Sequence, residues 1–215
     1  MSHYKVIIFD MDGTLLKDRG IFVIAKKLGF HDDLVRLIRE PSLQYYERSI
    51  EIGKILKGMK SSDFLKIFNN VPLQNNVKKV IYELKKRDII TSIATDSYQF
   101  LADDLKNRLD IDYAFANNLI IEKGIITGKL EINNVSLEKD FDGNNIYSIC
   151  KGHVLELLCQ KYDVPLEKSI AVGDGIIDIG MIKKAGLGIA FKASKKVQNH
   201  ADLIIDEFKE ILKHI

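Results

Sequence analysis

Asp10 and Asp12 stand two residues apart, directly after the apolar run Val6-Ile7-Ile8-Phe9 and before Gly13-Thr14. Packing asks for no acid at the end of such a run. A carboxylate beside a core is expensive unless it is paired or holds a metal. The segment Ala171-Val172-Gly173-Asp174-Gly175-Ile176-Ile177-Asp178 repeats the pattern, an apolar run ending in glycine-flanked acids. Helix capping accounts for Asp178 taken alone. It does not account for Asp174 together with Asp10 and Asp12. Strand tips set side by side would place such carboxylates ~5 Å apart, where each pair repels by ~3 kcal/mol at an effective dielectric of ~20. A cation relieves that repulsion. Ligands that are all hard oxygens, with no Cys or His among them, favour Mg²⁺ with positions left for water and phosphate. An EF-hand loop starting at Asp10 fails, because Leu15 stands where glycine is needed and Ile21 where the bidentate glutamate is needed. Thr95 can donate a hydroxyl hydrogen bond to a phosphoryl oxygen, and Lys151 can supply positive charge.

These residues need elements to hold them. Strand-type runs recur at Tyr4–Phe9, Ile89–Thr95, Tyr113–Ala116, Ser169–Gly173, Gly188–Phe191 and Leu203–Ile205. Helical patterns at Asn75–Arg87, Ser97–Leu109, Lys151–Tyr162 and Ile177–Ala185 alternate with them. That alternation predicts an α/β fold, a doubly wound and mostly parallel sheet covered on both faces. Ligands of such sheets bind at the carboxyl ends of the strands. Leu119–Glu122 and Leu130–Ile132 flank Lys123-Gly124 and Thr127-Gly128, which predicts a β-hairpin with glycine-bearing turns. Residues 16–72 break the alternation, with helical signals at Ile21–Leu28, Asp33–Arg39, Leu43–Leu56 and Ser62–Phe68. The expected organisation is a core of residues 1–15 and 73–215, with 16–72 as a small helical cap over the acidic pair that excludes water.

The chain has 215 residues, 46% of them hydrophobic, enough for one substantial core and a small second lobe. A net charge of +2 leaves no basic footprint for nucleic acid. No apolar run approaches the ~18–20 residues that span a bilayer. The chain is strand-like from its fourth residue, with no room for a signal peptide, so neither secretion nor a membrane is expected. Cys150 and Cys159 form no ligand or CxxC spacing, which suits a reduced, cytoplasmic protein. Cys150 reads as a small buried apolar group. The five histidines show no ligand spacing. The oligomeric state is left as monomer or homodimer.

The four segments Asp10-Met11-Asp12-Gly13-Thr14, Thr95, Lys151 and Gly173-Asp174-Gly175-Ile176-Ile177-Asp178 occur in an order that resembles the motifs of the haloacid dehalogenase superfamily. The chain is most similar to its phosphoserine phosphatase branch, through Tyr113-Ala114-Phe115-Ala116-Asn117, the hairpin, Lys151-Gly152 and Ala185–Ala193. The resemblance covers residues 1–15 and roughly 74–208. It implies a Rossmann-like core and a Mg²⁺-dependent phosphomonoester hydrolase acting on a small phosphorylated metabolite. Asp10 would form an aspartyl-phosphate, and Asp12 would protonate the leaving oxygen and then activate water. Asp10, the Asp12 carbonyl and Asp174 would hold the metal, with Asp178 in support. Thr95, Lys151 and the backbone near Asp12 and Asp96 would hold phosphoryl oxygens.

The chain departs from that branch at several positions. Arg19 stands where the branch carries a glutamate for the substrate amine. Glu51 stands where it carries a cap-helix arginine, with Arg48 one turn earlier able to substitute. Ile177 replaces an asparagine and Asp96 a glycine. Asp96 and Ser97 also fit as caps of the helix that follows. Arg19 would favour an anionic group distal to the phosphate, so a sugar phosphate or nucleotide remains an alternative to phosphoserine. A phospho-accepting receiver domain is the non-enzymatic alternative. Asp12 and the helical insertion favour turnover over that reading, and a dehalogenase needs no proton donor at Asp12.

Overall fold

The computed structural model describes residues 3–215. The first strand, β1 (Val6–Phe9), is wholly buried and lies at the centre of the sheet. Its side chains alternate between two layers. Ile7 and Phe9 join the larger core cluster, and Val6 and Ile8 join a second cluster around Leu155 and Leu158. A strand apolar at every position is what burial on both faces requires.

Four helices follow: α1 (Gly20–Leu28), α2 (His31–Ile38), α3 (Tyr45–Ile55) and α4 (Ser61–Phe68). Their inward residues Ile24, Leu34, Leu56, Phe64 and Phe68 are continuous with the larger core cluster. Helix α5 (Val77–Lys85) then leads to β2 (Ile90–Tyr98), α6 (Gln99–Leu109), β3 (Tyr113–Glu122) and β4 (Ile125–Glu131). The second half runs through α7 (Lys151–Lys161), β5 (Ser169–Gly173), a 3-10 turn at Ile176–Asp178, α8 (Ile179–Lys184), β6 (Leu187–Phe191), α9 (Lys195–Gln198) and β7 (Leu203–Ile205).

Among the described residues these strands form one sheet in the order β4-β3-β2-β1-β5-β6-β7. All neighbours are parallel except β3 and β4. The α/β doubly wound fold expected from the alternation is therefore present. The chain winds outward from β1 in both directions, so the crevice beside β1 is the switch point where open α/β sheets place ligands. Register sets the tips level: Phe9 pairs with Ile93 on one side and Val172 on the other.

Two local expectations are corrected. The predicted helix start at Ser97 is still strand, because Tyr98 pairs with Asn117 across a register shift and keeps the backbone extended. Helix α6 starts at Gln99, and no side chain caps it, so Asp96 and Ser97 are not its caps. In the hairpin, Lys123-Gly124 forms the turn, with φ of 49° and 80°, as a two-residue primed turn demands. Thr127-Gly128 lies within β4, beside an irregularity in the β3–β4 ladder, and makes no turn.

The hairpin reaches beyond the sheet and docks on the helical segment. Gly58 N donates to Ile126 O (2.9 Å) and Ser61 N to Gly124 O (3.0 Å). A second attachment comes from the long segment between β4 and α7. Tyr46 N donates to Ile146 O (3.0 Å), the Tyr45 and Tyr147 rings lie 4.5 Å apart, and Ser49 Oγ reaches Ser148 Oγ (3.3 Å). Ser148 is in turn held by Asn117 Nδ2 of β3 (2.8 Å). These bonds fasten α3 to the loop that immediately precedes Lys151.

Candidate active site

Asp10 directly follows β1, with its amide donating to Val172 O of the neighbouring β5 (2.9 Å). Its side chain is buried and accepts from Lys151 Nζ at 2.5 Å. The same ammonium donates to Asp178 Oδ1 at 2.6 Å. Lys151 opens α7 and is wholly buried, held between these two carboxylates. Burial works against its charge, but Asp10 and Asp178 outweigh burial and hold the ammonium well above the usual lysine range. The other oxygen of Asp178 accepts from the amides of Asp174 (3.1 Å) and Gly175 (2.8 Å). Asp178 thus bonds backward into the turn after β5 and does not cap α8.

Asp174 completes the cluster. One oxygen each from Asp10, Asp174 and Asp178 lie within 4.8 Å of one another. Burial raises the Asp10 carboxyl well above the ordinary range, with Lys151 pulling it back and Asp178 and Asp174 pushing it further. Burial and then Asp178 raise Asp174. Carboxylates so crowded are an oxygen-rich acceptor for a hard cation. Gly13 makes the closeness possible. Its φ is +95°, and a Cβ there would stand 2.5 Å from Asp174 Oδ2. Thr14 Oγ1 donates to Asp174 Oδ1 (3.2 Å), tying the two acidic turns together.

Asp12 sits on the opposite side of that turn. Its Oδ1 accepts from Gly20 N, the first residue of α1, at 2.6 Å. Burial pushes its carboxyl up to about 6, with the Gly20 amide opposing. A carboxyl tuned to that region can hold a proton for one step and release it for the next. Thr95 is buried near the end of β2, and its Oγ1 accepts from Ser97 N (3.2 Å). Asp96 is half-buried, its carbonyl fixed by Asn117 Nδ2 (2.7 Å).

A cavity of about 300 Å³ opens beyond Asp12, between the end of β2 and helices α1 and α3. Arg19, Arg48 and Asp96 line it. Arg48 donates to Ile38 O (3.0 Å) and its guanidinium lies 4.8 Å from the Tyr45 ring centre. Glu51 instead pairs with Lys54 at the surface and is absent from the cavity wall. His153 stands 3.8 Å from both Glu138 and Glu156, away from the acidic cluster. Cys150 is half-buried, not the buried group expected.

Several supporting contacts have no signature in the sequence. The Gly20 amide on Asp12 is one. Another is Gln74, which donates to Gly13 O (3.1 Å) and is itself held by Lys192 Nζ (2.9 Å) at the end of β6. The Gly20 contact uses a backbone amide with no side chain to mark it, and the Gln74 contacts join residues 61 and 118 apart along the chain.

A family model described as a haloacid dehalogenase-like hydrolase matches residues 4–186. The chain belongs to this family. Among its relatives is a phosphoserine phosphatase of Methanocaldococcus jannaschii, 31% identical over 98% of this chain and 97% of that one. A phosphoserine phosphatase of Haemophilus influenzae is 32% identical over 96% of this chain and 63% of its own length. A solved structure described as a phospho-aspartyl intermediate analogue of phosphoserine phosphatase superposes with a TM-score of 0.82 at 31% identity, covering 99% of each chain. A substrate-bound phosphoserine phosphatase complex matches with the same TM-score at 30% identity. Within its family the chain is a phosphatase, a phosphomonoester hydrolase. No helix among the described residues is long and apolar enough to cross a membrane.

Proposed function

We propose that this chain is a Mg²⁺-dependent phosphatase of the phosphoserine phosphatase type, acting in the cytoplasm on a small phosphorylated metabolite. The observation that carries the reading is the convergence of Asp10, Asp174 and Asp178 within 4.8 Å, with Lys151 bonded to two of them. Asp10 is the nucleophile. It directly follows the buried central strand β1, and Lys151 orients its carboxylate. Attack of an Asp10 oxygen on phosphorus gives an aspartyl-phosphate, while the leaving oxygen takes the proton of Asp12. Asp12, now ionised, removes a proton from the water that hydrolyses the intermediate. The Gly20 amide holds the carboxylate in place for both steps. Lys151 neutralises phosphoryl charge, and the Thr95 hydroxyl donates to a phosphoryl oxygen.

The donor set fits a hard divalent cation, because all its ligands are carboxylate or carbonyl oxygens and burial raises two of the acids. Asp10, the Asp12 carbonyl and Asp174 would hold Mg²⁺, and Asp178 would support them by fixing the turn after β5. When bound, the ion supplies positive charge against the phosphoryl oxygens. Residues 16–72 act as the cap that encloses the leaving group, supported by the lining of the cavity from α1, α2 and α3.

Phosphate release from a panel of phosphorylated metabolites tests the reading. O-phosphoserine is expected among the good substrates, with release abolished by a chelator, restored by Mg²⁺ and lost in Asp10→Asn. Stoichiometric phosphorylation of Asp10 that persists for hours, without turnover, would instead make the chain a phospho-accepting switch.

A further inference from the structure

Within the 300 Å³ cavity two polar groups are buried and left without a partner: Ser97 Oγ and Arg48 Nε. Ser97 is only 8% exposed. An orphaned buried hydroxyl carries a desolvation penalty that a ligand can remove. Beside Ser97 stands Asp96. Among the described residues no ion pair within 4.0 Å joins Asp96 to any cation, and none joins Arg19 or Arg48 to a carboxylate. The cavity wall therefore carries a carboxylate and two guanidiniums with no salt bridge within 4.0 Å, Arg19 facing the charges of Asp96 and Asp12 and Arg48 bonded to Ile38 O, and beside them the buried hydroxyl of Ser97 without a partner. Asp12 stands at its inner end, where the ester oxygen leaves.

We infer that the turn Asp96-Ser97 reads the leaving group of the substrate, Asp96 accepting from an ammonium group and Ser97, together with Arg48, donating to a carboxylate. Arg19, a cation, does not fill the role of an amine acceptor, so the acid for a cationic group is Asp96, the residue after Thr95. Asn117 fixes the Asp96 carbonyl, and the Ser97 amide bonds back to Thr95 Oγ1. The backbone that carries both side chains is thus pinned beside Thr95. The inference rests on the cavity being the leaving-group site of a phosphatase.

Matched pairs of esters test it. Phosphoethanolamine is compared with 2-hydroxyethyl phosphate, which exchanges ammonium for hydroxyl. 3-Phosphonooxypropionate is compared with 3-hydroxypropyl phosphate, which exchanges carboxylate for hydroxyl. In Asp96→Asn the kcat/KM ratio of the first pair falls roughly tenfold, the loss of one charge-assisted hydrogen bond, while that of the second pair holds. In Ser97→Ala the second ratio falls roughly threefold and the first holds. Ratios taken on one preparation are independent of the fraction folded. Equal losses on both members of each pair would overturn the inference. If the wild-type protein turns over none of the four and releases no phosphate from O-phosphoserine either, the proposed function fails, and the same ratios read from calorimetric binding to Asp10→Asn judge Asp96 and Ser97 separately.

Discussion

Replacing Lys151 by Met keeps the length of the side chain and removes its charge. The ammonium is wholly buried, and the carboxylates it holds are only 6% and 1% exposed. Without it, Asp10 and Asp178 face each other within 4.8 Å with no cation between them. Their repulsion at that separation is ~3.5 kcal/mol at an effective dielectric of ~20. Breaking a buried pair by removing one partner costs about 3–5 kcal/mol, the same order. Protonation sets the ceiling. At neutral pH the fold can escape by neutralising one carboxyl, which costs roughly 1.4 kcal/mol per pH unit above its ordinary pKa, or ~4–5 kcal/mol in all. For a chain of this size ~3.5 kcal/mol corresponds to a fall in Tm of roughly 10 °C. The assay is thermal unfolding in a chelator near pH 7. Lys151→Met should unfold about that much earlier than wild type, and Asp178→Asn in the same background should recover part of the loss. Added Mg²⁺ should recover part as well. The deficit should shrink as pH falls toward 4, where the carboxyls take up protons. A Tm for Lys151→Met within a degree or two of wild type, in chelator near pH 7, would refute the buried three-group arrangement and with it the positioning of Asp10.

Asp12 pays for its burial at neutral pH, because its folded pKa of about 6 lies above the unfolded value. Asp12→Asn should therefore raise stability in chelator by ~2 kcal/mol near pH 7.5, after discounting for partial exposure, with the advantage fading between pH 6 and 4, as denaturant titrations would read. Rapid-quench measurement of aspartyl-phosphate formation should show the wild-type rate falling as pH rises past about 6, where Asp12 loses its proton, and no such limb in Asp12→Asn. Gly13→Ala should destabilise by ~1–3 kcal/mol and raise the Mg²⁺ concentration for half-maximal activity, since its Cβ would press on Asp174 and its φ is positive. Tyr147→Ala should remove ~1 kcal/mol of ring contact with Tyr45, read as faster hydrogen exchange across α3 with the sheet core unchanged.

Most of the sheet and the acidic chemistry can be read along the chain, because both are written in short segments. A strand such as Val6–Phe9, apolar at every position, has few alternatives to the centre of a parallel sheet. An aspartate closing two such runs has few reasons to be there besides a site. Legibility fails where geometry is non-local. Ser97 looks like a helix start, yet pairing of Tyr98 with β3 holds it in the strand, and that keeps it in the wall of the cavity. Asp178 fits a helix cap in sequence, yet it bonds the preceding amides and Lys151, a residue 27 positions earlier. Gly20 carries no chemical side chain, and only the fold shows that its amide grips Asp12. Thr127-Gly128 has turn composition, but the turn is already made at Lys123-Gly124 and pairing continues past it.

The loop fastened to α3 through Ile146, Tyr147 and Ser148 runs only two residues further before it reaches Lys151. One short tether therefore joins α3 to the lysine that grips Asp10. Were α3 to swing outward to admit a substrate, it would pull on the first turn of α7 and so on the grip of Lys151 on Asp10. Thermodynamic linkage makes this traffic two-way: any ligand that strengthens the Lys151–Asp10 contact must also favour the seated layer, by the same free energy with which seating the layer strengthens the contact. On that coupling, an open mouth and a tightly held Asp10 would be opposed states of this connection.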